Sequence, residues 1–219
     1  MTRLNRKLKH ILLKVKGWIV GVLLLLHYKL RKSLYIPPID IFKSDKVMFA
    51  AHPDDETLFF SKQLINEEGW LVICVTNGAT KRAKEFINVM KCLNQSYQIW
   101  NFPDGLDIKW NKKRLYRSVN KILKLRTWEK VITHNEEGEY GHFQHRQLYE
   151  CVNSLYNGTE LWLSEKTEKL FDESNKLRSG DYEMKLSLIN KYYKSQKEVL
   201  MKNFKAFVEY EVINCRKGL

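Results

Sequence analysis

Cysteine is scarce and scattered in this chain of 219 residues. The cysteines are Cys74, Cys92, Cys151 and Cys215, and no two of them have the C-x-x-C spacing of a zinc knuckle or a redox pair. Cys74 lies inside the apolar run 71–75, where a free thiol behaves as a small hydrophobic side chain. We therefore expect reduced thiols and a reducing, cytosol-facing compartment.

The chain also lacks a long uncharged segment and an early alanine. The uncharged stretch between Lys16 and Lys29 has twelve residues, whereas a helix that spans a bilayer needs about 20. The first alanine is Ala50, so the small-residue cleavage site of a secretory signal peptide is missing as well. These two absences disfavour a secreted protein and a full membrane span, although a single-pass signal anchor stays open as an alternative.

Acidic side chains are absent from residues 1–39, which carry nine Lys or Arg. Apolar residues recur there at alternating spacings of four and three, as Leu4, Leu8, Ile11, Val15, Trp18, Val22 and Leu25. This pattern predicts a basic amphipathic helix over residues 1–36, followed by a linker over 37–44 that contains Pro37 and Pro38. We expect residues 1–35 to bind an anionic membrane surface at its cytosolic face, with a partner-binding soluble helix as an alternative.

The formal net charge of +13 belongs mostly to this arm. The other 180 residues carry 29 basic and 25 acidic side chains, a balance of +4. A catalytic domain that wraps DNA or RNA would concentrate positive charge in its body. We therefore predict no nucleic-acid partner.

Residues 45–219 have the pattern of one α/β domain, because short apolar runs alternate with longer amphipathic segments. Strands are predicted at 46–51, 70–76, 98–100 and 130–133, and helices at 55–67, 80–94, 111–127, 142–156 and 183–207. The expected fold is a Rossmann-like three-layer domain with a mostly parallel sheet.

Ligands of such sheets bind beyond the carboxyl ends of the strands, so the polar residues that follow each strand are the candidates for a site. Three strand exits are rich in them: 52–56, 76–78 and 134–145. His134, the first residue of the last exit, either lines the pocket or is a hydrogen-bonded structural histidine.

Two of these exits carry pairs of side chains three residues apart. His52 and Asp55 form the first pair, and His142 and His145 form the second at the start of another predicted helix. Two imidazoles, one carboxylate and an open position make a catalytic zinc sphere, which His52, Asp55 and His145 can supply. The same donors also suit ferrous iron.

Hydrolysis of an amide needs a base for the attacking water, a group that stabilises the oxyanion, and an acid for the departing amine. Asp54 is the natural base, since it adjoins a ligand and cannot point in the same direction as Asp55. His142 and Tyr140 remain for the oxyanion and the leaving group.

The runs Ala51-His-Pro-Asp-Asp-Glu56 and Gly138-Glu-Tyr-Gly-His-Phe-Gln-His145 resemble the motifs of the PIG-L/LmbE-like de-N-acetylase family. The resemblance covers roughly residues 45–150. It implies that His52, Asp55 and His145 bind zinc and that Asp54 is the general base. It further implies that His142 is the acid or oxyanion partner and that Tyr140 polarises the amide carbonyl.

Weaker similarities to the family occur near Arg82 and Asp104, where relatives hold sugar hydroxyls or a phosphate, and we add Asn77 as a substrate contact. One departure is Gln144, because the family commonly has Pro-Asp between the two histidines. An aspartate there would favour a charged His142. Glu137 or Glu139 could replace it.

These features lead to one expected function, a zinc-dependent removal of acetyl from an N-acetylglucosamine-type sugar that is lipid-linked or close to a membrane. A deacetylase of a soluble sugar conjugate or nucleotide sugar is the alternative within the enzyme class. A non-catalytic zinc- or sugar-binding descendant is the alternative outside it.

Overall fold

Apolar strands that are buried on both faces form the centre of the sheet, as parallel sheets covered by helices require. The computed structural model describes residues 43–105, 108–165 and 170–216. The strands of this part are β1 (Lys46–Ala50), β2 (Trp70–Thr76), β3 (Ser96–Phe102), β4 (Lys130–Thr133), β5 (Leu161–Ser164) and β6 (Ile213–Arg216). Their order is β3-β2-β1-β4-β5-β6. The pairs are parallel except β5 with β6, which is antiparallel.

Helices cover both faces of the sheet. They are α1 (Asp55–Asn66), α2 (Lys81–Cys92), α3 (Lys112–Leu123), α4 (Phe143–Leu155), α5 (Ser179–Tyr192), α6 (Lys197–Asn203) and α7 (Lys205–Glu209). Because strand side chains alternate between the faces, Met48 and Val72 pack with α1, α2 and α5, whereas Val47 and Leu71 pack with α3 and α4. This arrangement confirms the predicted three-layer α/β fold with a mostly parallel sheet.

The predicted helix over 183–207 is wrong as a single element, because the structure divides this segment among α5, α6 and α7. The break follows Tyr192, where two side chains are fixed by distant acids. Tyr193 is fully buried and donates its hydroxyl to Glu56. The Ser195 backbone N–H and hydroxyl donate to the Glu85 carboxylate at 2.9 and 2.6 Å. The strands predicted at 70–76 and 130–133 occur with the predicted ends, the other predicted elements occur with shifted ends, and β5 and β6 were not predicted.

The sheet order places one topological switch point beside the centre of the sheet. The chain leaves β1 for β2 and β3 on one side, then returns to β4 on the other side of β1. The carboxyl ends of β1 and β4 therefore open the crevice in which such folds bind ligands. Residues 52–56 and 134–145 follow these two strands and meet there.

The predicted arm and most of the linker lie outside the described residues. The prediction of a helix over 1–36 and of membrane binding through 1–35 therefore stays a prediction. In the described part of the chain, no helix has the length and apolar character needed to cross a bilayer.

Candidate active site

The turn after β1 has an unusual backbone conformation at Asp54, whose φ is +113°. Its N–H donates to Glu56 Oε2 at 3.1 Å. Glu56 is fully buried, and Thr57 and Tyr193 donate their hydroxyls to its other oxygen. A non-glycine residue at positive φ is strained and persists where its surroundings hold it, often at functional sites. Here the buried Glu56 carboxylate holds the turn that presents Asp54.

The three predicted metal ligands form a small triangle of donor atoms. His52 Nδ1 lies 3.1 Å from Asp55 Oδ2 and 3.2 Å from His145 Nε2, and the last two atoms are 3.3 Å apart. Metal bonds of about 2.0–2.2 Å in a tetrahedral sphere separate neighbouring donor atoms by about 3.3–3.6 Å. The observed separations are close to this range, so the three side chains could hold a metal ion together.

The electrostatics of the triangle favour an ionised ligand at Asp55. Burial alone would raise the pKa of Asp55, but the facing imidazoles of His145 and His52 hold that pKa well below its ordinary value. A carboxylate that is ionised despite burial is the form that binds a cation.

A turn of unusual conformation delivers the second motif. Gly138 and Gly141 have φ values of +70° and +92°, and Glu139 between them has +56°. This turn places the buried Glu139 carboxylate between two imidazoles, with Oε2 2.6 Å from His145 Nδ1 and Oε1 2.9 Å from His134 Nδ1. A carboxylate on the far nitrogen of a ligating histidine fixes the ring and its tautomer. Glu139 therefore orients His145 and does not replace the aspartate missing beside His142.

His134 is a structural histidine in this arrangement. Its Nε2 accepts the Ala51 backbone N–H at 3.0 Å, and its ring stacks on His145 with centroids 3.9 Å apart. Two other sets also have donor atoms within 4.8 Å of one another, namely His52 with His142 and His145, and Asp55 with His134 and His145. The lone pair of His134 Nε2 is already engaged by the Ala51 amide, which disfavours the set that contains His134.

His142 lies at the amino-terminal end of α4, and its Nδ1 accepts the Gln144 backbone N–H at 3.3 Å. The proton of the neutral ring is therefore on Nε2. Burial, together with the facing imidazoles of His145 and His52, lowers the pKa of His142 to about 4. In residues 43–105, 108–165 and 170–216, no carboxylate forms a hydrogen bond with this ring, so its uncharged form is favoured.

The position of Gln144 between the two histidines suggested an influence on His142, but its side chain contacts His52. Its Oε1 lies 2.8 Å from His52 Nε2, and its amide nitrogen donates to the carbonyls of Pro103 and Ile108, each at 3.0 Å. The amide oxygen can only accept, so the His52 proton is on Nε2 and Nδ1 is left for the triangle. The sequence marked Gln144 as a departure from the family, but its contact with His52 depends on a fold that no local pattern describes.

The three predicted substrate contacts come together on one side of the site. Arg82 donates to Asp54 Oδ1 and to Asp104 Oδ2, each at 3.0 Å, and Asn77 donates to the same Asp104 oxygen at 2.7 Å. Burial raises the pKa of Asp54 well above its ordinary value, and the Arg82 guanidinium opposes that rise. Arg82 thus links Asp54 to Asp104, whose carboxylate can face a sugar.

Asp54, Arg82 and Asp104 border a cavity of about 130 Å³. The predicted substrate contact Asn77 is buried outside this lining and reaches the cavity only through its hydrogen bond to Asp104. The other side of the cavity is apolar and comes from Leu58, Tyr140, Val199, Leu200 and Phe204. Tyr140 is 43% exposed, and its ring centroid is 4.9 Å from that of Phe204. Partial burial and the nearby carboxylates of Asp55 and Glu139 raise the pKa of Tyr140, so the phenol remains a hydrogen-bond donor. The contribution of α6 to this wall was not predicted, since the sequence pattern reads as one continuous helix there.

Known proteins are similar to this chain in sequence and in fold. Residues 47–156 match the family model described as PIG-L, GlcNAc-PI de-N-acetylase. An uncharacterized protein of Acanthamoeba polyphaga mimivirus is 34% identical over 188 residues, which cover 78% of this chain and 79% of that protein. A probable N-acetylglucosaminyl-phosphatidylinositol de-N-acetylase of Dictyostelium discoideum is 30% identical over 127 residues, 50% of this chain and 49% of the relative. The chain therefore spans about half the length of that relative.

Two solved structures have the same fold at low sequence identity. N,N'-diacetylchitobiose deacetylase from Pyrococcus horikoshii has a TM-score of 0.53 at 16% identity, over 75% of this chain and 76% of that one. GalB, the 4-carboxy-2-hydroxymuconate hydratase from Pseudomonas putida, has a TM-score of 0.58 at 13% identity, over 75% and 82%. A deacetylase and a hydratase thus share this fold, so the fold alone does not select a reaction. The family match covers half of the chain and contains both motifs of the site, and the chain belongs to the PIG-L family of GlcNAc-PI de-N-acetylases.

Proposed function

We propose that this protein is a zinc-dependent hydrolase that removes the acetyl group from an N-acetylglucosamine-type amino sugar. The observation that carries the proposal is the triangle of His52, Asp55 and His145, with donor atoms 3.1–3.3 Å apart and Asp54 beside it at the cavity. Zinc bound there supplies an activated water and Lewis-acid polarisation of the amide carbonyl.

Asp54 accepts a proton from the attacking water and returns it to the departing nitrogen. The water oxygen forms the new bond to the acetyl carbon, the carbon–nitrogen bond breaks, and the products are acetate and the free amine. The strained turn and Arg82 both support this role, because they fix the carboxylate at the cavity edge. A positioned general base contributes about 10²–10⁴-fold to rate.

His142 and Tyr140 are the donors proposed for the developing oxyanion. His142 has its proton on Nε2, because Nδ1 accepts a backbone N–H, and both side chains border the cavity. Of the two roles that the sequence left open for His142, the neutral ring favours the oxyanion partner over the acid. Preorganised donors of this kind stabilise the charge that develops in the transition state.

The substrate is proposed to be lipid-linked, with the enzyme at the cytosolic face of a membrane. A cavity of about 130 Å³ is smaller than the roughly 300–1,000 Å³ of most small-molecule sites. It suits a single amino sugar held by Arg82 and Asp104, with Asn77 positioning Asp104 and the aglycone outside. Val199 and Phe204 at the rim offer an apolar surface to that aglycone, and the basic arm adds support from the sequence.

A panel of free-amine assays on the purified full chain tests the proposal. We expect amine release from N-acetylglucosamine joined to a phospholipid in vesicles, and release slower by about 10²-fold or more from the Asp54→Asn variant. Release from nucleotide-linked N-acetylglucosamine alone would favour the alternative of a soluble substrate. Stoichiometric metal with no turnover on any conjugate would favour a non-catalytic binding protein and overturn the enzyme proposal.

A further inference from the structure

The solvent-facing side of α3 carries charge of one sign. From Ile108 to Trp128 the chain contains eight Lys or Arg and no acidic residue. Leu115, Val119 and Ile122 point into the core. The exposed basic residues are Lys109, Lys112, Lys113, Arg114, Arg117, Lys121 and Lys124, which we call the α3 basic face. Lys112 and Lys124 are about 18 Å apart along the helix axis.

Nothing in the described part of the chain neutralises the α3 basic face. None of its seven side chains forms an ion pair with a described acid. Their contacts are with aromatic rings, as Arg114 over Phe102 at 4.5 Å and Lys112 over Tyr116 at 5.4 Å. On the adjacent α4, exposed Glu150 is accompanied by exposed Arg146, so the neighbourhood stays positive. Repulsion among these charges falls when an anionic partner binds.

One end of the α3 basic face lies beside the candidate active site, and the other lies beside Ser44. At the amino end, the carbonyl of Ile108 accepts from the Gln144 amide, which also contacts the metal-ligand candidate His52. At the carboxyl end, Arg126 donates to the carbonyl of Ser44 at 2.6 Å, close to where the described chain begins. The face therefore runs from the edge of the site to the neighbourhood of Ser44, where the described chain begins.

We propose that the α3 basic face is a docking surface for an anionic membrane. Charge complementarity supports a polyanionic partner, and the exposed aliphatic Ile108 beside Lys109 supports a lipid surface. A single-stranded nucleic acid would need exposed aromatic rings for base stacking. The large hydrophobic side chain exposed along 108–128 is Ile108, and Trp110 and Trp128 are buried.

The test compares two triple variants of the full chain in vesicle sedimentation. The first changes the α3 basic face by Lys113→Gln, Arg117→Gln and Lys121→Gln. The matched control changes Lys81→Gln, Lys84→Gln and Lys91→Gln, which are exposed on α2 at the opposite face of the sheet. The vesicles contain equal parts of phosphatidylserine and phosphatidylcholine and no sugar lipid, so the result is independent of the proposed function. Circular dichroism verifies that both variants keep the helical content of the parent.

We expect the α3 triple to weaken binding to these vesicles by about tenfold or more, because each basic side chain near an anionic surface contributes separately. The α2 triple should change binding by less than about twofold, and pure phosphatidylcholine vesicles should bind neither variant nor the parent. Equal losses in both triples would overturn the proposal, and so would unchanged binding of the α3 triple. A larger loss of binding to duplex or single-stranded DNA than to vesicles would assign the face to nucleic acid instead.

Discussion

In the candidate metal site, the imidazole rings of His52 and His145 each form a hydrogen bond through the nitrogen that faces away from the triangle of donor atoms. Gln144 holds His52 by Nε2, and Glu139 holds His145 by Nδ1. Partners of this kind fix the ring orientation and leave the other nitrogen for a metal. That these residues come together at the carboxyl ends of the strands was predictable from motif spacing. Their supporting partners were not, because hydrogen bonds of buried side chains depend on the packed fold.

The roles of ligand and base predict two different failures. His52→Ala should lose the metal, because only two of the three donor side chains remain. Asp54→Asn should keep the metal and lose turnover by on the order of 10²-fold or more, since it removes the proton acceptor. Metal content by mass spectrometry and amine release measure both. Full activity of Asp54→Asn would contradict the assignment of the base.

Gln144 allows a sharper test of how the ligand triangle is held. Gln144→Ala removes the partner of His52 Nε2, and we expect metal affinity to fall by about 10–100-fold. Gln147→Ala is the matched control, because Gln147 lies on the same helix and its side-chain oxygen accepts the Trp110 backbone N–H at 3.1 Å without contacting His52. Competition with a chromogenic chelator measures both affinities. Equal affinities of the two variants would assign Gln144 a role in loop packing alone.

At the scale of elements, the site depends on two turns whose backbone departs from ordinary conformations. One follows β1 at Asp54, and the other precedes α4 at Gly138. The sequence predicted the elements that flank both turns, because buried strands and amphipathic helices have strong periodic patterns. It failed at 183–207, where the helical period continues across a break that Tyr193 and Ser195 impose through distant acids.

The second turn supplies a prediction on stability. Gly138 has a φ of +70°, and a Cβ there would clash with the carbonyl oxygen of His142. Gly141 has a φ of +92°, with nothing within 4 Å of the same atom. Gly141→Ala should lower the free energy of unfolding by about 1–2 kcal/mol from backbone strain, and Gly138→Ala by a further 1–3 kcal/mol or so from overpacking. Urea unfolding measures both, and equal losses would mean that the His142 backbone moves aside.

At the scale of the whole molecule, the family match and the buried cluster together predict that metal stabilises the folded chain. An ion at about 100 times its dissociation constant adds about 2.7 kcal/mol to stability, which raises the melting temperature of a domain of this size by about 5–10 °C. Differential scanning fluorimetry with and without a chelator measures the shift. His52→Ala is the control and should melt at the same temperature in both. An unchanged melting temperature of the parent would contradict a site formed by all three ligands.

The pairing of β1 with β4 also has a consequence for the order of folding. This pair joins Lys46 to Lys130 across a long intervening segment, and it brings His52 and Asp55 to His145. Contacts between residues far apart in sequence form late and slowly, because they close a large loop. A nascent chain that has produced β1, β2 and β3 has two of the three donors and no complete site. Metal uptake during refolding should therefore coincide with the slowest step. A metal-sensitive dye can measure the rate of metal uptake, and hence the rate at which β4 pairs with β1.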